Sequence, residues 1–195
     1  MIIDLSSYNG KVDFERVNKV ANIERVILRG TTRNGNIDTR FIEHLNGAMK
    51  SLPDKCIIDV YKFSYARTYA NTALECAQLL ETLNGAGALT FIEHIWLDLE
   101  PFDDKSHTTQ ECAEIIAAYS NVCKVYNKPL GIYCNYSYAK NILPKWAATL
   151  PLWLARWTSG DMGNVAPFKP VLWQYTSKGK VDGISGNVDL SRSLS

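Results

Sequence analysis

Ile95-Trp96-Leu97-Asp98-Leu99-Glu100-Pro101 alternates without a break, with Ile95, Leu97 and Leu99 on one face of a strand and Trp96, Asp98 and Glu100 on the other. The aliphatic face must meet helices, the polar face then points into a barrel, and Pro101 closes the strand. Asp98 and Glu100 stand at its carboxyl end, the rim where βα barrels place their chemistry. A rise of about 3.3 Å per residue sets the two side-chain origins roughly 7 Å apart, near enough for one substrate bond to lie between or beside them. Two unpaired anions at that distance raise at least one pKa.

The neighbouring segments repeat a strand-then-helix grammar. Ile2–Ser6 reads as a strand, and Asp13 caps a helix carrying Phe14, Val17 and Ala21. Arg25–Arg29 precedes a helix with Phe41, Leu45, Ala48 and Leu52. Lys55–Phe63 precedes the Ala73, Ala77, Leu80 stripe, stopped at Asn84-Gly85. His94–Glu100 precedes the Cys112–Tyr126 helix, and Pro129–Cys134 opens a fifth unit. The later strands, 150–157, 171–176 and 186–190, leave little room for full helices and read as hairpin neighbours. Eight strands in 195 residues, five of them in βα units, predict an α/β chain forming one small barrel closed partly by antiparallel strands. An open doubly wound sheet is the alternative. No repeat or linker-like run divides the chain, so a single domain is expected.

Barrel closure makes the first and last strands neighbours and brings Asp4 and Asp189 to Asp98 and Glu100. Aromatic and amide groups fall at the same rim: Tyr61, Phe63, Tyr133, Trp153, Trp157, and Trp173-Gln174-Tyr175. Flat rings beside acids suit sugars, whose C–H faces pack on π surfaces while their hydroxyls need amide and carboxylate partners. The plainer reading makes the rings core residues and the acids a solvated strand end. Asp59, on the face of Tyr61 and Phe63, reads as a buried structural acid.

Composition narrows the partners. Twenty-one Lys and Arg against twenty Asp and Glu give a net charge of +1, which provides no field for non-specific attraction to nucleic acid or anionic lipid. The apolar stretch 150–155 is far shorter than the roughly 20 residues that span a bilayer, so no membrane span is expected. Met1-Ile-Ile-Asp4 reaches a carboxylate before any leader pattern forms. The five cysteines are an odd number without a Cys-x-x-Cys pair, which fits reduced thiols, and Cys112 and Cys123 share a helical packing stripe. A hard cation on Asp4, Asp98, Glu100 and Asp189 is the one metal reading weighed. With no His within two residues of these acids, neither metal nor cofactor is expected. No phosphate-binding glycine loop occurs.

Asp4-Leu-Ser6 with Tyr8-Asn-Gly10 and Val12-Asp-Phe14, Trp96-Leu-Asp98-Leu-Glu100, Trp153-Leu-Ala155-Arg-Trp157, Trp173-Gln-Tyr175 and Gly183-Ile-Ser-Gly-Asn-Val-Asp189 together resemble glycoside hydrolase family 25. These are the Chalaropsis-type lysozymes of bacterial autolysins and phage endolysins, and the resemblance runs from end to end. It implies a TIM-like (β/α)5(β)3 barrel over residues 1–195 that hydrolyses the β-1,4 bond between N-acetylmuramic acid and N-acetylglucosamine in peptidoglycan. Glu100 takes the proton-donor position, kept protonated by Asp98, Asp4 and Asp189, and Asp98 the second catalytic position. Asp98 could attack the anomeric carbon, activate water or orient the substrate N-acetyl group, and the strand spacing leaves the stereochemistry open. Asp4 and Asp189 would hold substrate and tune pKa values.

Two departures, Thr31-Thr32-Arg33 for the family's Thr-Glu-Gly and Tyr61-Lys62-Phe63 for Tyr-His-Phe, bear on the groove rather than on the acids. The resemblance places the protein in a host cytoplasm before release to the cell wall, or outside the cell if a leader was removed. A wall-binding module would lie outside this chain. A glycan-binding barrel that does not cut is the rival, and it would dispense with Glu100.

Overall fold

The computed structural model describes residues 1–194; Ser195, the last residue of the expected domain, lies outside the described residues. Most helices begin where a side chain satisfies the free N–H groups of the first turn. Asp13 accepts from Arg16 N at 3.0 Å to open α1 (Phe14–Val20), and Thr68 opens α3 (Tyr69–Gly85). At α4 (Thr109–Val125), Thr108 and Glu111 cap each other reciprocally at 3.1 and 2.7 Å. Asn135 caps the short α5 (Tyr136–Asn141). α2 (Phe41–Ser51) has no side-chain cap and is held by its buried face of Phe41, Leu45 and Ala48.

The strands between them are β1 (Ile2–Leu5), β2 (Arg25–Arg29), β3 (Ile57–Phe63), β4 (Ile95–Asp98), β5 (Leu130–Asn135), β6 (Leu152–Ala155), β7 (Pro170–Gly179) and β8 (Val188–Ser193). They close into one barrel in sequence order. β1 to β7 pair in parallel, while β8 runs antiparallel to both β7 and β1. The hairpin expectation for the last three strands therefore holds for β7–β8 alone. Segment 156–169 is long enough to carry the chain back along the barrel, so β6 and β7 run parallel. The expected strand 150–157 is also shorter, and Trp157 lies beyond its end. The open-sheet alternative is excluded by the β1–β8 seam, where Asp4 faces Asp189.

Alternation sorts the side chains into two layers. Ile95, Leu97 and Leu99 join the outer core beneath the helices, as the strand pattern requires. Ile2, Ile27, Trp96, Tyr133, Trp153 and Leu172 fill the barrel interior. Trp96 lies across Gly131 of β5, where an added Cβ would stand 2.3 Å from its ring. Its indole donates to Asp59 at 2.7 Å; Asp59 is fully buried, also takes the His94 backbone N–H at 3.0 Å, and pairs with Arg25. Asp59 is thus the structural acid read from the sequence. All five cysteines are free, with Cys112 and Cys123 buried as packing atoms. No described helix is long and apolar enough to cross a membrane.

Candidate active site

A cavity of about 230 Å³ opens at the carboxyl end of the barrel over the Trp153 and Tyr133 rings. Asp4 enters it from β1 and Asp189 from β8; Asp98 ends β4, and Glu100 stands two residues beyond. The four acids expected to meet do meet. Tyr61, Trp157 and Gln174 complete the wall. A larger groove of about 810 Å³ between Lys11, Arg16, Lys50 and Asp182 lies apart from this cluster.

Three expected site residues do not line the cavity. Phe63 packs instead with Tyr65 and Phe102. Trp173 and Tyr175 flank the inward Gln174 in sequence, so alternation turns both outward. Trp173 there donates to Arg156 O at 2.9 Å and stacks with the Arg192 guanidinium. Ser177, which lines the cavity, escapes sequence reading because β7 shifts register between Gln174 and Thr176. The bulge reverses the parity that simple alternation predicts. The Lys62 departure lies behind the groove rather than in it. Its ammonium is buried, donates to Thr32 O and Phe63 O at 3.2 and 2.9 Å, and sits 3.8 Å from Glu75. Arg33 is at the rim, over the Tyr65 ring and 3.6 Å from Asp103.

Burial is the first cause of a raised pKa at each of the four acids. At Asp98 the charges of Glu100 and Asp4 add to it, and Lys62 opposes them from behind. At Glu100 the second cause is Asp189, one of the acids expected to hold its proton, while the repulsion between Glu100 and Asp98 is felt as a rise at Asp98. Asp4 is pushed up by burial and by Asp189, against a hydrogen bond from Gln174. Asp189 is raised by burial and drawn back by a hydrogen bond from Asp4. Burial and the surrounding acids also raise the phenols of Tyr61 and Tyr133, which therefore stay neutral.

Asp98 is 6% exposed, and its Oδ1 has no hydrogen-bond partner among the described residues. A buried carboxylate oxygen with an open acceptor position is set to take a donor from a bound molecule. Chemically, the cavity offers a Glu100 carboxyl whose hold on its proton is strengthened by burial, a buried acceptor at Asp98 and a ring floor. That combination suits cleavage of an acetal with protonation of the leaving oxygen.

The sequence profile of the glycosyl hydrolases family 25 matches residues 3–184. The chain belongs to this family. The autolytic lysozyme of Clostridium acetobutylicum is 28% identical to it over 96% of this chain and 54% of that protein. This family 25 chain thus spans about half the length of that curated relative. The modular autolysin LytC of Streptococcus pneumoniae, solved in complex with a synthetic peptidoglycan ligand, superposes with a TM-score of 0.84 at 22% identity, over 97% of this chain and 45% of that one. The catalytic domain of endolysin ply40 from bacteriophage P40 of Listeria monocytogenes gives 0.76 at 21% identity, over 100% of this chain and 92% of that one. Both superpositions are likenesses of fold.

Proposed function

We propose that residues 1–195 form the catalytic domain of a peptidoglycan hydrolase, an N-acetylmuramidase that cuts the β-1,4 bond between N-acetylmuramic acid and N-acetylglucosamine. The observation that carries this reading is the four-acid cavity at the barrel rim of a family 25 chain. The autolytic lysozyme relative and the peptidoglycan ligand of LytC support the choice of substrate.

Glu100 is the general acid. Burial and the Asp189 charge keep its proton on at a pH where an ordinary glutamate has lost it, and it delivers that proton to the glycosidic oxygen as the bond breaks. Asp98 is the second catalytic carboxylate. Its unpartnered Oδ1 accepts the N–H of the N-acetyl group, turning the acetyl oxygen toward the anomeric carbon to stabilise the developing positive charge. Asp4 and Asp189 bind sugar hydroxyls, and Tyr61, Tyr133, Trp153 and Trp157 pack against ring faces. The chemistry needs no metal and no cofactor. The site of action is the cell wall, reached either by endolysin release or by export, and a wall-binding module outside this chain would concentrate the enzyme there.

Digestion of purified peptidoglycan, with mass analysis of the new reducing ends, tests the assignment. Muramic acid at those ends, in yields unchanged by excess chelator, is the expected result. Glucosamine ends, chelator sensitivity or an undigested wall would each overturn it.

A further inference from the structure

The four-acid cavity has no cation on its wall among the described residues. Peptidoglycan is itself anionic, because the lactyl group of N-acetylmuramic acid carries a short peptide with carboxylates. Those carboxylates are repelled by the acid cluster and must lie outside it when a sugar sits within. The wall that continues from Glu100 carries the opposite sign. Phe102 follows Glu100 by two residues, and its ring meets the Tyr65 ring at 5.8 Å. Tyr65 is held at the end of β4, since the N–H of the preceding Ser64 donates to Asp98 O at 3.0 Å. The Arg33 guanidinium lies over Tyr65, 5.0 Å from the ring centroid. A second cavity, of about 370 Å³, opens on the same two rings, with Arg67, Asn71 and Lys105 around it.

Three cations stand there, and one is committed. Arg67 donates to Lys105 O at 3.0 Å and Ser106 O at 3.2 Å and sits 3.3 Å from Glu111, which makes it a strut for segment 105–106. Lys105 is exposed and makes no ion pair among the described residues. Its direction is set by the backbone. Phe102 and Lys105 exchange N–H···O bonds at 3.3 and 3.1 Å across a two-residue turn in which Asp103 and Asp104 take φ of 51° and 57°. Left-handed φ at both central residues matches the twist of a hairpin, and Asp tolerates it. Paired residues of a hairpin present their side chains to one face, so Lys105 stands beside Phe102 on the cavity side. Arg33 has only the exposed Asp103 near it, at 3.6 Å, which is too long for a hydrogen bond. With two such cations against one acid, the wall is net positive. A guanidinium already resting on a ring is pre-organised for a carboxylate.

We propose that Arg33 and Lys105 are specificity-determining residues that bind the carboxylates of the peptide stem, so that the enzyme selects glycan whose stems are anionic. This deepens the muramidase reading and rests on it. The sugar enters the acid cavity, the stem crosses Phe102 and Tyr65, and its carboxylates meet the two cations. Neither residue reaches the reacting bond, and both act through binding, by raising kcat/KM for the charged substrate over its neutral counterpart. Both are exposed, so each contact has the strength of a rim ion pair and weakens with salt. Arg33 also marks this chain within its family. Thr32-Arg33 stands where the pattern has Glu-Gly, which turns the sign of that corner from negative to positive.

The test uses purified peptidoglycan stripped of secondary polymers, and the same material with its stem carboxylates converted to amides by carbodiimide and ammonia. For wild type, kcat/KM should be about two- to fivefold higher on the charged wall, the range of one or two exposed ion pairs, and the preference should shrink in high salt. The double variant Arg33→Gln with Lys105→Gln should lose the preference. Every protein meets the same two walls, so differences in wall texture cancel in the comparison. Wild type that cuts both walls alike, or prefers the amidated one, would overturn the proposal. A preference for the charged wall that survives in the double variant would overturn it too. Lys105→Glu, which leaves this wall net negative, should abolish or reverse the preference. A wild-type ratio in that variant counts against the proposal, and this arm decides alone if the double variant does not fold. Wild type that leaves both walls uncut sinks the muramidase reading instead, so the two failures are distinct.

Discussion

Glu100 and Asp98 are two residues apart in sequence, yet their surroundings divide the work between them. Glu100 is half-buried at the rim, where a leaving oxygen can reach it, while Asp98 is sunk below with one oxygen unpartnered. Glu100→Gln keeps the shape and removes the transferable proton. Turnover of purified cell walls should fall by about 10²–10⁴-fold, the usual contribution of a general acid, with the unfolding midpoint preserved. Wild-type lysis by this variant would remove Glu100 from the mechanism. The pair was legible in the sequence because strict alternation places both acids on one face, and closure of the chain ends predicted their meeting with Asp4 and Asp189. What holds the Glu100 proton was legible only in part: barrel closure brought Asp189 to it in the sequence reading, whereas the burial that is the first cause depends on the folded chain.

Among the elements, β5 carries the most exacting fit. Gly131 faces the interior where Trp96 crosses, and Trp96 is pinned by its bond to the fully buried Asp59. The indole cannot withdraw without leaving that carboxylate short of a donor. Gly131→Ala should therefore cost roughly 1–3 kcal/mol through overpacking, measured by denaturant unfolding. A loss within a few tenths of a kcal/mol would show that Trp96 moves freely. The sequence shows the indole and the glycine as separate features of two strands. Their contact follows from the β4–β5 register, which pairs Trp96 with Gly131. β7 makes the same point, because its register shift turns Ser177 inward and sets it beside Asp189.

In the whole molecule, the acid cluster sets function against stability. Each buried acid has a folded-state pKa above its unfolded value, so the native state holds protons more tightly there. Stability is then fully present below the unfolded carboxylate range near pH 4 and is lost as pH rises through the folded-state pKa values. Asp98→Asn keeps the shape without the buried charge. Its unfolding midpoint should exceed that of wild type at pH 7, and the gain should vanish toward pH 4. A variant less stable than wild type at neutral pH would contradict this sign. By itself the sequence determined the βα alternation, the inward acids of β4, the helix start at Asp13, and the family resemblance, because period and capping are local properties of the chain. Tertiary structure decided the parallel β6–β7 pairing, the outward turn of Trp173 and Tyr175, and the burial that governs the acids. Those depend on where a loop returns, where a register slips and how much water is excluded, and each is settled only when all eight strands close on one another.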